Sequence, residues 1–239
     1  MRNTFIQELN ENKREYFIKD EEFHHLKNVC RIRKNEKICG FNKSGLSAEL
    51  IIREIKKNYI LAEALKFIKK DFNYRISIGI SVIKSKNFNF ILKSIQQLGV
   101  KKIFPFVSEY SIRINKIDKW NKILIESAKQ SGNFYIPEIE KIYKLDELSE
   151  FKGKKIVFYE KSERFLDEKI LNNCENLLFL VGPEGGFSQG EIEFLRSKNF
   201  VDLKLRTNIL RSEVAVITIL SILKFLTGEI WKFQMNLKF

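Results

Sequence analysis

Cysteine and histidine are the scarcest sources of site chemistry in this sequence. Cys30, Cys39 and Cys174 are odd in number and show no C-x-x-C spacing, and His24 and His25 are the only histidines among 239 residues. That excludes a disulfide framework and a cysteine–histidine zinc site, and it points to a reducing compartment. Long apolar runs are also missing. The longest, Val214 to Leu226, carries Thr218, Ser221 and Lys224, is too short to span a bilayer and reads as a buried helix. The N-terminus, Met1-Arg-Asn-Thr-Phe-Ile-Gln7, lacks the apolar core of a signal peptide, so a cytoplasmic location with no membrane attachment is expected. There is no G-x-x-x-x-G-K-[ST], no G-x-G-x-x-G after the first strand of the α/β region, and no G-x-S-x-G elbow. A P-loop, an ordinary dinucleotide site and a serine-hydrolase nucleophile are thereby set aside. No cluster of metal-ligating residues appears, and no metal is expected.

What the chain has in excess is positive charge. Lysine and arginine number 43 against 30 acidic residues, a formal net charge of +13, which suits a polyanionic partner such as nucleic acid. The excess is denser at the start: residues 1–70 hold 16 basic and 10 acidic side chains, the remaining 169 hold 27 and 20. Short strand-like runs dominate that first part, at Thr4–Gln7, Tyr16–Ile18, Lys37–Phe41, Leu46–Ile55 and Tyr59–Ala64. A turn is expected at Asn42–Gly45 and one short helix at Glu21–Cys30, with Asp20 as its N-cap. These runs predict a small β-barrel over residues 1–70, with Lys66–Asp71 as a linker.

From residue 71 to 239 strands and helices alternate. Strands are expected at Arg75–Ile83, Lys102–Val107, Lys155–Tyr159, Leu177–Val181 and Phe200–Leu205, and helices at Phe88–Leu98, Lys116–Gln130, Glu163–Leu171, Gln189–Lys198 and Ser212–Leu226. Alternation of this kind predicts an α/β domain on a mainly parallel sheet, where ligands bind beyond the carboxyl ends of the strands. Ser188-Gln-Gly-Glu191 is a capping box, and Ser212 is placed to cap the last helix. Two stretches beyond strand ends carry the candidate chemistry. In Val181-Gly-Pro-Glu-Gly-Gly186 the glycines let main-chain amides approach a small molecule, and Pro183 fixes one torsion between them. In Ile209-Leu-Arg-Ser-Glu-Val-Ala215 an arginine and a carboxylate open a long apolar helix.

Leu180-Val-Gly-Pro-Glu-Gly-Gly-Phe-Ser188, then Glu191 and Ile209–Ala215, closely resemble the motifs of the RsmE family. These are SPOUT-superfamily methyltransferases acting on N3 of one uridine in 16S ribosomal RNA. Softer matches lie upstream: His25-Leu-Lys-Asn-Val-Cys-Arg31, Lys84, Lys93, Leu98-Gly-Val100, Ser108-Glu109 and Ile136-Pro137. The chain departs from the family pattern at Tyr110, where arginine is usual, at Gln97 and Lys129 (glutamate), near Asn133 and Phe134 (arginine), and at Arg206, Asn208 and Val214 (glycine, arginine and threonine).

The resemblance implies a PUA-like barrel, an α/β domain with a C-terminal trefoil knot, S-adenosylmethionine as cofactor, a homodimer, and 16S rRNA or the small ribosomal subunit as partner. It implies cofactor contacts at Tyr159, Glu160, Leu180, Gly182, Gly185, Gly186, Leu205, Ile209, Leu210 and Ala215. Arg211 is expected to stabilise the charge that grows on a uracil carbonyl, and Glu184 or Glu213 to accept the N3 proton. His25, Arg31, Arg33, Lys84 and Lys86 are the candidate RNA contacts. Two other readings stay open at this point: a SPOUT methyltransferase with another RNA target, and an RNA-binding ribosome-assembly factor with weak catalysis.

Overall fold

A computed structural model describes residues 1–70, 72–171 and 174–230, and the chain divides into two compact units. The first comprises Met1–Phe72 together with Leu124–Ile136. Its strands are β1 (Arg2–Phe5), β2 (Glu15–Ile18), β3 (Lys37–Phe41), β4 (Leu46–Ile55) and β5 (Ile60–Lys69). They form one sheet in the order β1-β3-β4-β5-β2. β1 runs parallel to β3 and the other pairs are antiparallel. Register shifts in the β4–β5 pair at Glu49/Leu50 and Ile52/Glu54 bend the sheet into a half-barrel, because a bulged strand twists more strongly. Tyr16, Ile38, Leu50, Ile52 and Ile60 fill its interior. Asn42 makes the turn before β4: its side-chain oxygen accepts from the Ser44 amide at 3.0 Å and the Leu46 amide at 3.2 Å.

Two sequence expectations fail in this unit. β5 continues to Lys69, so Lys66–Lys69 are strand rather than linker; Leu46, Ser47, Ala48 and Glu49 of β4 offer them partners. Asp71 lies outside the described residues. Helix α1 (Asp20–His24) begins at Asp20 itself, whose φ of +51° is incompatible with the extended backbone of an N-cap, and Lys19 takes that place. The helix then widens into a π turn over His25–Val29. Glu22 looks inward, accepting from the Thr4 hydroxyl at 2.7 Å and the Phe5 amide at 3.2 Å and pairing with Lys129.

The second unit, Asn73–Ile123 with Pro137–Phe239, is built on a six-stranded sheet. In chain order come β6 (Ile76–Ser81), α2 (Ser85–Leu98), β7 (Ile103–Val107), α3 (Ile117–Ser131, of which Leu124 onward belongs to the first unit), β8 (Tyr143–Lys144), α4 (Leu145–Ser149) and β9 (Lys154–Phe158). β10 (Leu177–Val181), α5 (Gln189–Ser197), β11 (Val201–Leu203) and α6 (Ser212–Leu226) follow. The order β11-β9-β10-β6-β7-β8 is parallel at every pairing. All five side chains of β10 are buried, as a strand covered on both faces requires, and each contributes roughly 1.5–3 kcal/mol. Gly79 on β6 leaves room for Leu180, whose Cδ2 a β-carbon there would overlap. Helix α6 buries Val216, Ile219, Leu220 and Leu223, the i, i+3, i+4, i+7 stripe of one helix face, and packs on α2. No helix among the described residues is long and apolar enough to cross a membrane.

The helix expected over Glu163–Leu171 does not form; only a short 3-10 turn, Glu168–Leu171, is present. The backbone before it pairs sideways instead. The Leu166 amide donates to the Lys204 carbonyl at 3.0 Å and the Lys204 amide to the Arg164 carbonyl at 2.8 Å, so the groups a helix would have used are taken by the segment after β11. Ser162 holds the bend, its hydroxyl donating to the Asp202 carbonyl at 3.1 Å and accepting from the Arg164 amide at 3.1 Å.

Asp202 is 4% exposed and takes a two-pronged hydrogen bond from Arg196, at 2.9 and 2.8 Å. The Arg196 guanidinium holds its carboxyl down at about 2, below the usual carboxylate range. Because the folded-state value is the lower one, the stabilisation is fully present above the unfolded value of about 4 and fades as pH falls towards 2. Asp202→Asn is expected to cost on the order of 2 kcal/mol at neutral pH and almost nothing near pH 2, measured by urea denaturation across that range.

Candidate active site

Three adjacent strands, β11, β9 and β10, end along the same edge, and the segments that follow them enclose a cavity of about 690 Å³. After β9 come Tyr159 and Glu160; after β10 the turn Gly182–Phe187; after β11 the segment Lys204–Arg211, which runs into α6. Each wall is fixed by its own bonds. The Tyr159 amide donates to the Leu203 carbonyl at 2.9 Å, carrying the β9–β11 pairing one residue beyond the strand. The Gly186 amide donates to the Pro183 carbonyl at 2.9 Å, closing a four-residue turn. Gly186 has φ +74°, and a β-carbon there would stand 3.3 Å from Glu160 Oε1. Glycine suits that corner for its backbone angle, and a side chain there would make the Glu160 carboxylate shift by a few tenths of an ångström.

Ser212 is not the cap of α6. Arg211 occupies the N-cap with extended torsions, and the buried Ser212 hydroxyl donates to the Gly182 carbonyl at 3.1 Å. A buried carbonyl beyond the ladder needs a donor, and the serine supplies it while tying the start of α6 to the glycine turn.

Most of the residues singled out in the sequence meet here. Tyr159, Glu160, Gly182, Gly185, Gly186, Leu205, Ile209, Leu210 and Ala215 line the cavity, as do Glu184 and Arg211. Leu180 does not; it is fully buried in the core with Phe106, Leu178 and Ile192. Glu213 is also absent from the lining, and its Oε2 is buried with no hydrogen-bond partner among the described residues. Of the two carboxylates considered as proton acceptors, Glu184 is therefore the one that faces the cavity. Sequence reasoning missed Phe165, Lys204 and Arg206 as a group. Phe165 reaches the rim through its parallel bridge to Lys204, and the Arg206 guanidinium lies 4.6 Å from its ring centroid. The misassigned helix hid this contact.

The candidate RNA contacts fall in both units. His25, Arg31 and Arg33 belong to the π turn of the first unit and the segment after it, with both arginines exposed and His25 Nε2 3.5 Å from Cys30 Sγ. Lys84 and Lys86 are exposed in the second unit, just beyond β6. Lys84 lines a further cavity of about 480 Å³ with Tyr110, Ile112, Glu184 and Gly185.

A parallel sheet with a glycine turn and a cavity at its carboxyl edge, in a chain that also carries a half-barrel, is an α/β ligand-binding domain joined to a small β domain. The family model of the RNA methyltransferase domain matches residues 70–224, and that of the RNA methyltransferase PUA domain matches 18–65. The ribosomal RNA small subunit methyltransferase E of Buchnera aphidicola subsp. Schizaphis graminum is 34% identical, over 87% of this chain and 89% of its own. Borreliella burgdorferi has a protein named ribosomal RNA small subunit methyltransferase E 2 that is 31% identical over 87% and 89%. The crystal structure of the Neisseria gonorrhoeae methyltransferase E, bound to S-adenosyl methionine, superposes with a TM-score of 0.87 at 25% identity, covering 97% of this chain and 98% of that one. The chain belongs to the ribosomal RNA small subunit methyltransferase E family.

Gly186→Ala is expected to lower the unfolding free energy by about 1–2 kcal/mol through its left-handed backbone. Gly190→Ala, where a β-carbon meets nothing within 4 Å, is expected to be neutral or stabilising by up to about 1 kcal/mol, read by the same chemical denaturation.

Proposed function

We propose that this protein uses S-adenosylmethionine to methylate N3 of one uridine in 16S rRNA of the small ribosomal subunit, as a cytoplasmic homodimer. The observation that carries the reading is the cavity at the ends of β9, β10 and β11, which brings the glycine turn, Glu184 and Arg211 to one place.

The residues present fit such a cofactor. Its volume, about 690 Å³, lies in the range of small-molecule sites. Leu205, Leu210 and Ile219 offer an apolar slot for an adenine ring, the turn Gly182–Gly186 offers backbone amides, and Glu160 and Glu184 suit a cationic sulfonium. When bound, S-adenosylmethionine supplies an electrophilic methyl group. The chain's own residues then have distinct tasks. Glu184 accepts the weakly acidic N3 proton, which frees the nitrogen lone pair for alkylation. Arg211, at the mouth of α6, sets its guanidinium against a uracil carbonyl oxygen whose negative charge grows as that proton leaves. The glycine turn and the loop after β11 hold the reacting groups in register, which supplies much of the rate enhancement in a displacement reaction. The target base must be unpaired first, since pairing occupies N3.

The half-barrel is proposed as the RNA-binding domain over residues 1–70, with the methyltransferase domain over 71–239. Arg31 and Arg33, exposed beyond the π turn, support that division. The threaded C-terminal knot belongs to the same reading. So does the dimer, which the exposure of Ile209, Val214 and Phe225, apolar residues on or beside α6 at 87%, 45% and 51%, supports.

Arg211→Ala is expected to bind S-adenosylmethionine by calorimetry within a few-fold of the parent while single-turnover methyl transfer slows about 100-fold or more. Transfer at the parental rate would remove Arg211 from the mechanism. Mapping methylated nucleotides in small-subunit RNA from a deletion strain is expected to show one unmodified uridine; an intact uridine pattern would sink the assignment. In sedimentation, Val214→Asp is expected to shift the dimer towards monomer by at least ~10-fold in dissociation constant.

A further inference from the structure

The methyl-transfer reading explains the cavity over β11, β9 and β10 but leaves the second one without a role. That cavity lies over the neighbouring strands: Lys84 follows β6, Tyr110 and Ile112 follow β7, and Glu184 and Gly185 belong to the turn after β10. Because β10 stands between β9 and β6, the two cavities sit side by side on the carboxyl edge and share Glu184 and Gly185.

Tyr110 is half exposed, at 53%, while its backbone is tightly held. The loop that carries it is clamped by three serine hydroxyls. Ser81 Oγ lies 3.1 Å from Ser108 Oγ and 2.7 Å from Ser111 Oγ, and the Ser108 amide donates to Ser111 Oγ at 2.6 Å. Behind it, the Ile112 amide donates to the Val82 carbonyl at 3.0 Å. On the other side the Glu109 amide donates to Glu191 Oε1 at 2.8 Å, while Glu191 Oε2 accepts from the Ser188 amide at 2.9 Å. The capping carboxylate of α5 thus also fixes the residue before Tyr110.

The ring leans over the glycine turn. A β-carbon on Gly185 would come within 3.1 Å of Tyr110 Cβ and 3.3 Å of Cγ, so the glycine is what lets the tyrosine sit directly on the turn. The negative charge of Glu109 pushes the Tyr110 phenol up from its ordinary value, so the ring is neutral at physiological pH. A rigidly mounted neutral ring, an apolar Ile112, a side-chain-free floor and an exposed lysine at the rim have the composition of a site for an unstacked base and its phosphate.

Resting on the methyl-transfer reading, we propose that this second cavity is the acceptor subsite: Tyr110 stacks on the extruded pyrimidine, Lys84 holds its phosphate, and the shared Glu184 faces the edge of the base. Stacking on an aromatic ring amounts to about 5- to 100-fold in affinity for one base, whereas a phosphate contact acts without regard to the base and shows in the salt dependence.

The test uses the full chain and two fluorescent probes, a short oligouridylate and the matching abasic ribose-phosphate oligomer, titrated by anisotropy against the parent, Tyr110→Phe, Tyr110→Ala and Lys84→Ala. The parent and Tyr110→Phe are expected to prefer the oligouridylate by about 5- to 100-fold, and Tyr110→Ala to lose that preference. Lys84→Ala is expected to weaken both oligomers alike and to reduce the slope of log affinity against log salt by about 1. Calorimetry with S-adenosylmethionine, run on the same proteins, is expected to give the same affinity for parent and Tyr110→Ala. A Tyr110→Ala protein that still prefers the base-bearing oligomer, or a parent with no preference, overturns the subsite. A parent that binds no S-adenosylmethionine overturns the cofactor reading instead, and the oligomer titrations still decide the role of Tyr110.

Discussion

The hydrogen bond from the Ser212 hydroxyl to the Gly182 carbonyl, 3.1 Å long and buried, is the contact on which the site depends. A parallel strand that runs out at its carboxyl end leaves backbone groups without ladder partners, and those groups must be satisfied where water does not reach. Here the donor comes from the first turn of α6. One bond therefore fixes both the glycine turn after β10 and the entry of the last helix, and it brings Arg211 to the cavity as the residue before that serine. The turn's own Gly186–Pro183 bond and the positive φ of Gly186 complete its shape.

A second tie runs the other way along the sheet edge. Glu191 closes a capping box on Ser188 and, through its other oxygen, holds the Glu109 amide. The turn after β10 is thus set between two anchored neighbours, α6 on one side and the loop after β7 on the other. This is how a segment of four residues presents different surfaces to two cavities. Rigid backbone at the junction, with exposed side chains beyond it, suits a site that must position one reactant against another.

None of the positions at which the sequence departs from the family motifs lies within the glycine turn. Arg206 stacks on Phe165 at 4.6 Å and so closes part of the rim with a cation over an aromatic ring. Lys129, in the first unit, pairs with Glu22 and Glu126, and Phe134 stacks on Phe41 with centroids 4.3 Å apart. Those replacements support the half-barrel unit. For Asn208 the structure offers no specific account.

Local pattern alone determined a good deal. The bounds of β4, β10 and α6 follow from uninterrupted apolar runs or from a helical stripe, and the Ser188–Glu191 capping box is a contact over three residues. The glycine turn was legible for the same reason, since its chemistry lies in consecutive residues. Tertiary structure decided the rest wherever a residue's partner is distant in the chain. Glu163–Leu171 carries helix-forming residues, yet its backbone pairs with Lys204 because that edge was open. Ser212 stands where a cap would stand but serves a carbonyl thirty residues earlier. Leu180 belongs to the motif yet packs into the core, because β10 is covered on both faces. Lys66–Lys69 look like a solvated link, but the long β4 strand gives their backbone partners. Sequence-local bonds could be read directly; the choice among partners brought close only by folding could not.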